Sequence, residues 1–224
     1  MPMAEVVLVH GSWHGSWCWD RLREELSALG RQSHVVDLPS MTGPAYGLDA
    51  DAKVVQEKVG SIDAPVLLLG HSYAGTVVSQ ASAGVGGVAR LVYLAAFMMD
   101  EGQSLLTVVG ELPPEVELLP PPDDPIDLFY ADVPAELARD AASRLRPQSA
   151  QAVRDVQLGA GWRDIPSTYV LCEQDKAVPP ASQERMARQA DEVWRLDTGH
   201  SPFLSMPAEL AALVDELAST VDNA

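Results

Sequence analysis

Residues 67–78 read LLLGHSYAGTVV. An apolar run ends at Gly70, a lone serine follows at Ser72, and Ala74 and Gly75 lead into a second apolar run. Val66–Leu69 is short and rich in branched residues, as a fully buried strand requires, and residues 73–83 carry a helical pattern. The spacing Gly-x-Ser-x-small at a strand-to-helix turn describes a hydroxyl lifted out of the chain on a tight corner. Small residues are needed two places before and two after, because strand and helix approach closely there. Gly70 meets the first need, and Ala74, one methyl larger than the more familiar glycine, meets the second. The turn also puts Ser72 at a helix N-terminus, where free N–H groups and the helix dipole favour negative charge. The plainer alternative is that Ser72 only caps its helix.

The pattern on either side repeats strand and helix. Val6–Val9, His34–Leu38, Leu91–Ala96, Thr168–Cys172 and Val193–Leu196 read as further strands. Helical spacing recurs from Trp19 to Leu29, from Val54 to Ile62, over 181–189 and from Leu210 to Val221. Such alternation predicts an α/β chain, a mainly parallel, doubly wound sheet with helices on both faces. It stops between about 99 and 162. That segment holds the Pro- and acid-rich stretch ELPPEVELLPPPDDP (111–125) and then a helical stretch, PAELARDAASRL (134–145). It reads as an inserted helical cap, residues 99–162, on a core made of 1–98 and 163–224. The PxxP from Pro122 to Pro125 lacks basic flanks and reads as a rigid cap loop.

A chain of 224 residues suits one such domain. Its formal net charge of −17 disfavours nucleic acid and anionic membranes as partners. The two cysteines, Cys18 and Cys172, each lie in apolar sequence and read as buried free thiols. The first residues carry no basic n-region, and no run approaches the roughly 20 apolar residues of a membrane span. A cytoplasmic protein, monomeric or homodimeric, is the expectation. No metal-ligand spacing appears, since His10 and His14 lack a Cys or carboxylate partner; no cofactor is expected.

Ligand sites in open parallel sheets lie at the carboxyl ends of the strands. Ser72 is there, and a serine needs a base to become a nucleophile. Of five histidines, His200 in RLDTGHSPFLSMP (195–207) follows the last strand at the same sheet edge. His71 abuts Ser72 and should diverge from it. An acid must orient the base. Asp175, after the strand at 168–172, has the right place, with Asp100 after the fourth strand as a rival. The loop after the first strand, VHGSWHG (9–15), allows close backbone approach at Gly11. The N–H groups of Ser12 and Tyr73 are the expected oxyanion donors.

Four stretches, VLVHGSWHGSWCW (7–19), LLLGHSYAG (67–75), LCEQDKAVPP (171–180) and TGHSPFLSMP (198–207), together resemble the α/β-hydrolase superfamily. The resemblance is to the small-esterase branch that includes plant methylesterases and hydroxynitrile lyases. It implies the α/β-hydrolase fold, Ser72 as nucleophile, His200 as base, Asp175 as acid, and Ser12 and Tyr73 as backbone donors. The hydroxynitrile lyases have Thr where this chain has Gly11, and Lys where it has Ser201. Both departures point to ester hydrolysis through an acyl-enzyme. A lyase or cyclase using His200 as base is the alternative. Trp13, Phe97, Met98, Phe129, Tyr130, Trp162 and Phe203 are candidate pocket walls. No basic residue is placed to bind an anion, so a small uncharged ester with apolar or aromatic groups is the expected substrate.

Overall fold

The computed structural model describes residues 2–223. Five strands of the main sheet follow from branched or apolar runs: β1 (Glu5–Val9), β2 (Ser33–Val36), β3 (Val66–His71), β4 (Val88–Leu94) and, after the insertion, Ser167–Cys172. A sixth, Glu192–Leu196, closes one edge. Between β4 and Ser167 lie two very short strands, β5 (Leu118–Leu119) and β6 (Gln148–Ser149), so the last two main strands are β7 and β8. The six-stranded sheet has the order β2–β1–β3–β4–β7–β8, and all its pairs are parallel. It is α/β, as the alternation of strand and helix requires.

Because side chains alternate along a strand, each buried strand feeds two cores. Val6, Leu8, Leu67, Leu69, Val92, Leu94, Val170 and Cys172 face one side. There they pack with α1 (Asp20–Ala28) and, at the C-terminus, α10 (Pro207–Asp222). Val7, Val9, Val66, Leu68, Leu91, Tyr93, Tyr169 and Leu171 face the other, against α2 (Leu48–Gly60) and α3 (Ala74–Ser82). Continuous apolar runs are what a strand covered on both faces needs, which explains why these strands were legible without alternation.

The insertion departs from the regular pattern. It carries α4 (Leu106–Val109), α5 (Pro125–Phe129), α6 (Ala135–Ser143) and α7 (Ala150–Arg154), and β5 pairs antiparallel with β6. Only α6 has a strong amphipathic signature, with Ala138 and Ala141 buried. The short β5–β6 ladder brings Leu119 opposite Gln148, across 29 residues of sequence. On the core, α8 (Pro180–Ala187) follows β7, and the brief α9 (Pro202–Ser205) precedes α10. Cys18 and Cys172 are buried and free, and burial pushes both thiols up from their ordinary range. Among the described residues no helix is long and apolar enough to cross a membrane.

Candidate active site

The turn after β3 holds Ser72 at φ 55°, in the left-handed region that L-residues rarely occupy. Trp13 (φ 62°) and Ala95 (φ 45°), after β1 and β4, share this conformation. Three such residues at the carboxyl ends of three adjacent strands mark this edge as the place where backbone strain is concentrated. Ser72 is pinned by its own backbone. Its N–H donates to Leu94 O (3.2 Å), and its carbonyl accepts from Gly75 (3.0 Å) and Phe97 (3.0 Å).

The steric demands of the corner can be read from the glycines. A Cβ on Gly70 would stand 2.6 Å from Ala74 O, and one on Gly75 would stand 2.5 Å from Phe97 O. Ala74 itself is fully buried and its methyl is accommodated in the core with Val77 and Val78. The closest approach to the β4 end therefore falls on Gly75, one place beyond the position at which the motif usually carries its second glycine. A Cβ on Gly11 would lie 2.9 Å from Ser72 Cβ and 3.1 Å from His71 Nδ1. The first loop is thus packed directly on the serine corner.

His200 follows β8, and Asp175 follows β7. The structure brings them together: His200 Nδ1–H donates to Asp175 Oδ2 at 2.8 Å, with both residues almost wholly buried, at 2% and 4% exposure. That bond fixes the imidazole tautomer, leaving Nε2 with its lone pair free to accept a proton. Asp175 is itself held on every side. Its Oδ1 accepts from the N–H groups of Ala177 (2.7 Å) and Val178 (2.9 Å), and its Oδ2 also accepts from Gln183 Nε2 (2.9 Å). Asp100, the rival acid, is instead half-exposed and paired with Arg163, which holds its carboxyl below the usual carboxylate range.

The other histidines have separate tasks. His71 diverges from Ser72, and its Nε2–H donates to the backbone carbonyl of His200 at 2.8 Å. His14 Nδ1–H donates to Ser12 O (2.7 Å), so its Nε2 accepts from the Tyr130 hydroxyl (2.7 Å). Burial lowers His14 to about 3 and His71 well below its ordinary value, so both are neutral. His10 spans Gly11 O (2.9 Å) and the Leu38 N–H (3.1 Å). His34 bonds Glu5 on the neighbouring strand at 2.6 Å, a structural contact. Among the described residues the N–H groups of Ser12 and Tyr73 donate to no protein acceptor. The side chain of Tyr73 points away from the site and donates to buried Asp51 at 2.7 Å.

A cavity of about 360 Å³ opens beside Ser72. Ser12, Trp13, Phe97 and Phe129 line it, as does Glu111 from the insertion. Four other anticipated walls lie elsewhere. Met98 faces a separate surface groove, and Trp162 donates to Met99 O (3.0 Å) with Arg163 stacked on its ring. Tyr130 is committed to His14, and Phe203 packs edge-on to His71 and against Trp19. Tyr130 and Phe203 are claimed by buried packing, whereas Trp162 is half-buried. The walls not anticipated come mostly from the insertion: Leu105, Leu119, Leu128, Gln148 and Val153. Gln183 and Asp132 were also missed. Asp132 accepts from Thr198 Oγ1 (2.6 Å) and the Gly199 N–H (2.7 Å), tying the insertion to the loop that carries His200. In sequence these are unremarkable polar residues, and no spacing marks them. Among the described residues no cluster of three or more His, Cys, Asp or Glu is placed to hold a metal ion.

Residues 6–213 match the sequence model of the alpha/beta hydrolase family. The chain belongs to that family. It is similar to an alpha/beta hydrolase of Aspergillus novofumigatus, 31% identical, with 90% of this chain and 91% of the relative covered. It is likewise similar to a carbendazim-hydrolyzing esterase of a Nocardioides strain, 30% identical over 93% of this chain and 97% of that one. Among solved structures, the Arabidopsis methylesterase MES16 superposes with a TM-score of 0.84 at 25% identity, covering 97% of this chain and 99% of that chain. As a member of the alpha/beta hydrolase family with esterase relatives, the chain is an enzyme of the carboxylesterase kind.

Proposed function

We propose that this enzyme hydrolyses uncharged carboxylic esters through an acyl-enzyme on Ser72. The observation that carries the reading is the buried Asp175–His200 hydrogen bond at the sheet edge where Ser72 is held in a strained turn beside the cavity. His200 Nε2 takes the Ser72 proton as the oxygen attacks the ester carbonyl. Asp175 stabilises the imidazolium that forms, and remains ionised throughout. The free N–H groups of Ser12 and Tyr73 receive the oxyanion. His200 then protonates the departing alcohol, and a water activated by the same histidine releases the acid. No cofactor is required.

The substrate class follows from the walls. Trp13, Phe97 and Phe129 supply apolar surface, and among the described residues Glu111 is the sole charged one lining the cavity. A carboxylate-bearing ester would meet that charge with no cation to offset it, so neutral esters with apolar or aromatic groups fit best. Residues 99–162 act as the cap that shapes this pocket over a core of 1–98 and 163–224.

The test is hydrolysis of short p-nitrophenyl esters by the wild type and by Ser72→Ala. Loss of kcat by about 10³-fold or more, with the far-UV spectrum and melting temperature kept, is expected. Wild-type rates in the variant sink the proposal.

A further inference from the structure

Gln148 is fully buried and lines the cavity, yet neither its Nε2 nor its Oε1 has a protein hydrogen-bond partner among the described residues. A buried carboxamide left without partners is destabilising, because its desolvation goes uncompensated. Gln183, by contrast, bonds Cys172, Asp175 and Val178, and the amide nitrogen of Gln157 bonds two carbonyls, though its Oε1 has no partner among the described residues. Gln148 differs in lying on the pocket wall.

Its backbone is held firmly. Gln148 pairs with Leu119 in the β5–β6 ladder, the Trp13 indole donates to Leu119 O (3.0 Å), and the next residue, Ser149, donates to Pro44 O (3.0 Å). The ladder thus holds the Gln148 backbone at a cavity whose walls also include Leu105, Leu119 and Val153. A buried donor and acceptor without partners on the wall of an apolar chamber suit a ligand that brings one complementary polar group, a C=O for Nε2 or an N–H for Oε1.

We propose that Gln148 is a specificity residue of the esterase site. It reads an amide carried by the substrate away from the scissile ester, by donating from Nε2 to its C=O or accepting at Oε1 from its N–H. The proposal rests on the esterase reading above and narrows its substrate class. The preferred ester has an apolar or aromatic body, no charge, and a secondary amide or carbamate at its far end.

Two matched ester pairs test this, since acetamido and isobutyl groups have nearly the same shape. One pair is methyl 4-acetamidobenzoate and methyl 4-isobutylbenzoate; the other is 4-acetamidophenyl acetate and 4-isobutylphenyl acetate. Wild type should favour the acetamido member of at least one pair by about tenfold or more in kcat/KM. Gln148→Met, close in volume, should erase that preference by lowering kcat/KM for the acetamido ester, and should raise the melting temperature. Binding of the four esters to Ser72→Ala, by calorimetry, should show the same preference, and Ser72→Ala/Gln148→Met should lose it. Turnover without preference, or a preference that survives Gln148→Met, overturns the assignment. Preferential binding to Ser72→Ala with no wild-type turnover overturns the esterase reading alone and leaves Gln148 as a recognition residue.

Discussion

At the scale of single residues, the corner at Ser72 is governed by size more than by identity. Ala74 fits because its methyl enters a core already formed by Val77 and Val78, while Gly75 meets the Phe97 carbonyl. Ala74→Gly should therefore remain active and lose about 1–2 kcal/mol of stability, from the helix cost of glycine and the lost methyl burial. Gly75→Ala should cost more than that and reduce kcat, since either α3 or the β4 end must move; melting curves and p-nitrophenyl ester kinetics on both variants check the contrast. Gly11→Thr belongs with them. Its Cβ would press on Ser72 Cβ at 2.9 Å, so it should lower kcat/KM by displacing the serine. A Gly11→Thr variant with unchanged ester kinetics would refute this account of the loop.

At the scale of elements, what matters is how loops from different strands are locked together. Asp175 is positioned by the first turn after β7 and by Gln183 on α8, which also bonds both backbone groups of Cys172. Asp175→Asn should lower kcat by roughly 10³–10⁴-fold, because an amide N–H facing Nδ1 selects the wrong imidazole tautomer. Gln183→Leu should lower both stability and kcat, by about 2 kcal/mol in the first case, since it orphans buried groups on β7. Pre-steady-state kinetics with equilibrium unfolding distinguishes the two effects. The link from the insertion to the His200 loop, through Asp132, was invisible in sequence. An aspartate between α5 and α6 looks like an ordinary surface acid until the fold delivers Thr198 and Gly199 to it.

At the scale of the whole molecule, one buried carboxyl couples three segments. Asp51 on α2 accepts from the Ser40 N–H (2.9 Å), the Ser40 hydroxyl (2.6 Å) and the Tyr73 hydroxyl (2.7 Å). Burial raises it from an ordinary 3.8 to about 6, against the opposing effect of those donors. A folded-state value above the unfolded one means that the native protein binds the extra proton. The stability linked to Asp51 is then fully present below about pH 4 and is lost as pH rises through about 6. Two units correspond to about 3 kcal/mol. Denaturant unfolding from pH 4 to pH 7 should show this decline superimposed on the other titrations, and Asp51→Asn should flatten it. An unchanged pH profile in Asp51→Asn would assign the decline to other groups.

Much of this protein was written in local sequence. Buried parallel strands need uninterrupted apolar runs, a tight strand–helix corner needs small residues around Ser72, and helices need periodic apolar faces. Each of these is a short-range requirement, so the fold class was legible, and the structure brings His200 and Asp175, two of the three expected catalytic residues, into contact. Which of Asp175 and Asp100 meets the His200 ring was not local: it depends on which strand lies where in the sheet, and Arg163 engages Asp100. The pocket was least legible of all. Aromatic residues such as Tyr130, Trp162 and Phe203 are equally suited to a wall or to a core, and tertiary packing gave Tyr130 and Phe203 to the core and Trp162 to a half-buried place bonded to Met99 O. Gln148 became a wall only because a two-residue strand pairs it with Leu119, a contact between distant segments with no periodicity to announce it.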